Sequence, residues 1–267
     1  MKAVGIAGLG MVAPGIESWE IGSKLLMSDS PYDISVELPA LKPSSLSANE
    51  RRRTTDTIKL ALQCAQDAML DQSMVQASDP DLTSVFASSS GDLNIVDKIL
   101  TALILPGKPV SPTQFHNSVH NAPAGYWSIA TGSRAATTSI AAGDETFSIG
   151  LLEAMSQVVV DEHPVLLIAY DLVPPPVFLS QKQITASIAV AMLLVPEPTR
   201  YSLSAGIKDR GATATTMYDA GFEQLRQANP AAQCLPLLQS IAQMQSATIS
   251  LPYQHGQGLE LRLQCND

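Results

Sequence analysis

The segment TTSIAAGDETFSIG, residues 137–150, has the shape of a reactive elbow: an apolar strand, a tight turn, then a helix. A helix N-terminus activates a nucleophile placed there, and its backbone N–H groups can hold an oxyanion. Here the turn carries Gly143, which has nothing to attack with. Asp144 and Glu145 follow. They suit the positive end of a helix dipole. As nucleophile or base they would lack an orienting histidine. Serines 133, 139 and 148 lie outside the G-x-S-x-G context that exposes a hydrolase serine.

Three other patterns invite chemistry. GLGMVA at 8–13 follows a strand-like run and fits G-x-G-x-x-A, a dinucleotide fingerprint. Pro14-Gly15 opposes the helix that motif requires, and no acid ends a second strand about 20 residues on. A tight glycine turn after the strand is the preferred reading. His116 and His120 stand four apart, a spacing that shares a metal on a helix. No glutamate follows the first and no third ligand is near, so polar lining of a pocket or interface is preferred and no metal is expected. His255 lies in HGQG at 255–258, which a hairpin turn explains. A catalytic His255 would need a nucleophile, and none presents itself.

The chain around these residues has 267 residues, 45% hydrophobic and 15% charged, with net charge −9. That length buries a substantial core. The acidic balance opposes non-specific nucleic-acid or anionic-membrane binding. Cys64, Cys234 and Cys265 form neither a zinc set nor a disulfide framework, which predicts a cytoplasmic protein. The first 15 residues do not read as a signal peptide, and no apolar run has membrane-spanning length.

Periodicity predicts strands at 2–8, 135–142, 164–171, 187–195 and 201–208, a short strand running into a small-residue loop within 84–90, and a final strand over LELRLQ. It predicts helices at 49–71, 94–104, 122–131 and 144–161, and one or two more after residue 221. Pro112 is expected to open a loop reaching residue 121. Apolar strands alternating with helices predict a layered α/β fold with a mixed sheet. The pattern weakens after 208, so a boundary is expected near 209–216, with residues 1–208 as the main domain and 209–267 packing on the same core.

The order of these segments resembles the N-terminal half of a β-ketoacyl synthase, a condensing enzyme of thiolase-like fold. VGIAGLGMVAPG resembles its opening strand, ERRRTTDTIKLALQCAQDAML its early long helix, and SPTQFHNSVHNAPAGYWSIATG its dimer-interface loop and buried helix. SPTQFHNSVHN, AAGDETFSIGLLEA and IAYDLVPPP are similar to short, ketosynthase-like chain-length factors of type II polyketide systems, aryl polyene pathways in particular. The resemblance covers residues 1–205 and puts the active-site cysteine position at Gly143. Ketosynthases also use two histidines from a C-terminal half that is much reduced here. HGQG is superficially like the HGTGT motif of that half, and no catalytic role is carried onto His255.

The resemblance therefore implies a non-catalytic subunit with no cofactor, paired edge to edge with an active ketosynthase through the strand near 135–142. The pair would be a heterodimer or a dimer of heterodimers, served by an acyl carrier protein. The 111–121 loop would reach the partner's acyl tunnel, with Gln114, Phe115, Ser118 and Val119 as wall candidates. Two other readings stay open. One is an independent acyl hydrolase or transferase using Asp144, Glu145 or His255. The other is a dinucleotide-dependent oxidoreductase resting on Gly8 and Gly10.

Overall fold

The computed structural model describes residues 1–70, 76–77, 79, 82–209, 211 and 213–266. The strands and helices run β1 (Val4–Val12), α1 (Trp19–Leu26), α2 (Ala48–Arg53), α3 (Asp56–Ala68), β2 (Thr83–Ala87), α4 (Leu93–Ile104), α5 (Pro112–Asn117), α6 (Ala122–Thr131), β3 (Thr137–Ile140), α7 (Thr146–Asp161), β4 (Val165–Asp171), β5 (Ile188–Val195), β6 (Tyr201–Lys208), α8 (Ala220–Ala228), α9 (Leu235–Ala242), β7 (Ala247–Pro252) and β8 (Gly258–Cys265).

All eight strands join one mixed sheet in the order β3-β2-β4-β5-β1-β6-β8-β7. β2 pairs in parallel with β3 and β4. The remaining pairings are antiparallel. Helices cover both faces, and the side-chain alternation of a strand divides the core in two. Val165, Leu167 and Ala169 of β4 join one cluster with Phe147 and Leu151 of α7 and Leu238 of α9. Leu166, Ile168 and Tyr170 join the other with Ile58 and Leu62 of α3 and Trp127 of α6. Cover on both faces is why β4 and β5 read as unbroken apolar runs. Residues 209–266 feed the first cluster through Phe222, Leu225, Leu237 and Leu261.

The structure differs from the sequence reading at α1, which that reading does not anticipate, and in four further places. The helix expected over 49–71 is two helices. Thr54 leaves α2 in an extended conformation, and the Thr55 hydroxyl caps α3 by accepting from the Ile58 N–H at 3.3 Å. Asp71 lies outside the described residues. The loop expected after Pro112 is helix α5, with Ser111 as its cap and Pro112 in its first turn. That Ser-Pro start is a local signal for a helix. The GLGMVA segment is no turn: β1 runs through it, with Gly8 opposite Leu193 and Gly10 opposite Ala191. β7 went unforeseen, because alternating burial over six residues beside a polar loop leaves a weak pattern.

Candidate functional site

The elbow forms as expected in outline. β3 ends at Ile140, residues 143–145 make a single tight helical turn, and α7 begins at Thr146. The Thr146 hydroxyl fixes the corner, donating to the Gly143 carbonyl at 2.7 Å and accepting from the Ala142 N–H at 3.0 Å. Asp144 and Glu145 therefore precede α7 rather than lying in its first turn. Gly143 is exposed and has φ of +59°, in the left-handed region that favours glycine. A Cβ there would meet only the Glu145 carboxylate, at 4.0 Å. The corner has room for a side chain and carries none.

A buried polar network lies beside the elbow, joined to it by a cleft of about 550 Å³ lined by Asp144, Ser89, Lys182, Arg226 and Asn229. Its centre is Asp171, fully buried at the end of β4. Asp171 accepts from the Ser88 hydroxyl at 2.8 Å and the Ser89 N–H at 3.0 Å. Asn229 donates to the Asp171 and Ala186 carbonyls, tying α8's end to the sheet. Lys182 reaches the Ser89 carbonyl at 3.3 Å. The sequence reading missed these residues. An aspartate closing an all-apolar strand, Asp171 in IAYD, was the available signal.

Burial pushes the Asp171 carboxyl up to about 6, and the Ser88 and Ser89 hydrogen bonds only partly offset it. The folded state therefore holds this proton at a pH where the unfolded chain has released it. Its contribution to stability is greatest at low pH and falls as pH rises from about 4 through about 6. Asp171→Asn keeps the shape and removes that titration. Its stability relative to the parent should rise by about 2–3 kcal/mol between pH 4 and pH 7, measured by denaturant unfolding at both. A difference independent of pH would refute the assignment.

The wall candidates fall at α5 and just beyond it. Phe115 is 67% exposed and Val119 51%, with Gln114 and Ser118 half-buried. The Ser118 hydroxyl turns back onto the Phe115 carbonyl at 2.8 Å, so it closes its own helix. The apolar exposure continues along α4. Of that helix's twelve residues only Ile95 is buried, and Leu100, Leu103 and Ile104 face outward with the following Leu105. α5 packs on α4, and α6, which exposes Ile129, packs beside β3. Among the described residues β3 pairs only with β2, so it ends the sheet with an open edge.

The residues of the hydrolase reading are not brought together. Asp144 and Glu145 follow β3 at one edge of the sheet, and His255 sits in the β7–β8 hairpin at the other. Cys64 and Cys234 are fully buried, and burial pushes both thiols up, away from nucleophile chemistry. His116 is exposed, while His120 is bound to the Ser88 carbonyl at 2.9 Å. Among the described residues no three His, Cys, Asp or Glu side chains are grouped to hold a metal ion. No described helix is long and apolar enough to cross a membrane.

Comparison with known proteins places this geometry. No curated protein matches the sequence. Among solved structures, a ketosynthase in complex with its chain length factor from Xenorhabdus doucetiae is similar at 22% identity and TM-score 0.73, covering 98% of this chain and 100% of that one. The ishigamide ketosynthase/chain length factor is similar at 12% identity and TM-score 0.75, covering 100% of both chains. A β-ketoacyl synthase from Burkholderia phymatum STM815 gives 11% identity and TM-score 0.72, again covering 100% of both. These likenesses establish the thiolase-like ketosynthase fold. The family model "Beta-ketoacyl synthase, N-terminal domain" matches residues 27–255, most of the sequence, and the chain belongs to that family.

Proposed function

We propose that this chain is a non-catalytic subunit of the chain-length-factor type, which pairs with an active β-ketoacyl synthase and shapes the acyl tunnel during polyketide or aryl polyene elongation. The observation that supports the reading is the elbow: the turn between β3 and α7, where the resemblance puts the ketosynthase cysteine, holds Gly143. Decarboxylative condensation needs a thiolate and groups that stabilise the departing CO2 and the enolate. A partner must then supply the chemistry. The uncovered apolar surface of α4 and α5 and the open edge of β3 support pairing. Exposed apolar area of this kind marks an interaction surface. In this reading residues 1–208 are the ketosynthase-like body, and residues 209–267 stand in for a reduced C-terminal half. An acyl carrier protein delivers substrate to the assembled pair.

The test is to co-express the chain with a catalytic ketosynthase of the same genome and assay malonyl-dependent elongation. A stable pair, active only while the partner's cysteine is intact, supports the reading. Turnover by the isolated chain would overturn it. Within the pair, Phe115→Ala should lengthen the product by at least one two-carbon unit, read by mass spectrometry, because a wall that fills the tunnel acts by excluded volume. Unchanged lengths in an intact pair would remove Phe115 from the wall.

A further inference from the structure

A small, partly open cavity lies between α3, the loop after β2, the α5–α6 junction and β4. Thr57, Asp92, Asn117, His120 and Tyr170 are among its walls. Its volume is about 10 Å³, the space of one small polar group. Three oxygen atoms in those walls are buried and have no hydrogen-bond partner: Thr57 Oγ1, Asp92 Oδ2 and Tyr170 OH. Thr57 and Tyr170 are 2% and 0% exposed, and Asp92 is 9%. An unsatisfied buried polar atom is destabilising by about 1–3 kcal/mol, so three around one cavity point to an occupant.

The other polar walls are already engaged. Asn117 donates to the Arg53 carbonyl at 2.6 Å and accepts from the Tyr126 hydroxyl at 3.2 Å. His120 is held by the Ser88 carbonyl. Asp92 spends its other oxygen on capping α4, accepting from the Ile95 N–H at 3.0 Å. No described cation pairs with it. All three free atoms can accept a hydrogen bond, and one belongs to a carboxylate. A carboxyl group taken out of water gains most from a positive or strongly donating partner. A primary ammonium has that charge and three donors.

Thr57, Asp92 and Asn117 also line a larger open cleft of about 620 Å³. Leu38, Leu41, Ile95 and Leu172 give it apolar walls, and Arg53 and Lys98 give it positive charge. Lys98 makes no ion pair among the described residues, and Arg53 only approaches Glu50 at 4.0 Å. We propose that this cleft binds a small ω-amino carboxylate, with the ammonium received by Asp92, Thr57 and Tyr170, the aliphatic stem on the apolar walls, and the carboxylate facing Arg53 and Lys98. The proposal does not rest on pairing with a ketosynthase.

The experiment titrates the full chain with ε-aminocaproate, ε-hydroxycaproate and caproate, read by ligand-observed NMR and calorimetry. ε-Aminocaproate should bind saturably, and both others at least about tenfold more weakly. Asp92→Asn keeps an α4 cap, so it should stay folded, and should weaken ε-aminocaproate binding by about tenfold or more. Thr57→Val should weaken it by about threefold. Absence of saturable ε-aminocaproate binding, as when the cavity holds only water, overturns the proposal. So does equal binding of caproate, or unaltered binding by a folded Asp92→Asn variant.

Discussion

Ile104→Glu combined with Phe115→Glu should leave the isolated chain folded and abolish the proposed pairing with a ketosynthase. Both residues already face solvent, at 84% and 67% exposure. A charge at either position disturbs no core contact, so the effect on folding should stay within about 0.5 kcal/mol. In an interface built on this surface the same charges would be buried without partners. Each then opposes association by several kcal/mol, and every 1.4 kcal/mol is about a tenfold loss of affinity. Thermal unfolding of the isolated variant should match the parent, while co-purification with the ketosynthase should fail. Retained pairing would move the interface away from α4 and α5 and leave the exposed leucines of α4 without an explanation.

Gly10→Ala should be strongly damaging in the sheet centre. A Cβ at Gly10 would lie 2.2 Å from the Cys64 carbonyl oxygen and 2.9 Å from the Ala68 N–H nitrogen, both backbone atoms of α3. No side chain can swing aside to relieve that contact. The helix itself must move, and it lies in a close-packed cluster with Leu60, Leu62 and Cys64 at 0% exposure. The expected loss is about 3 kcal/mol or more, read by denaturant unfolding. Gly206→Ala in β6 is the control. A Cβ there meets nothing within 4 Å. Its effect should be near zero or slightly stabilising, since alanine removes freedom from the unfolded chain. Equal effects at the two positions would refute the close-approach account. The same contact accounts for the second glycine of the G-x-G-x-x-A run. Gly10 is small so that α3 can approach, while β5 pairs along the strand where a nucleotide loop would have to turn.

The elements were legible where their causes are local. β4 and β5 announced themselves as continuous apolar runs, and α7 as a helix following an elbow. The fold class followed from their alternation, and the order of motifs placed Gly143 at the corner. Boundaries set by one capping group were harder. Thr55 splits a periodic stretch into α2 and α3, and Ser111 with Pro112 starts a helix too short to show a period.

What sequence alone determined is therefore most of the longer elements and a glycine at the turn before α7, because helix and strand patterns and residue identity act over a few residues. Only the tertiary structure decided which residues share a site. Ser88 and Asp171 are 83 positions apart and meet because β2 and β4 pair in parallel. Thr57, Asp92 and Tyr170 come from three separate segments and converge on one cavity. Asp144 and His255 end at opposite edges of one sheet. Strand order and the approach of a helix to a strand are collective results of packing, and no local run of residues encodes them.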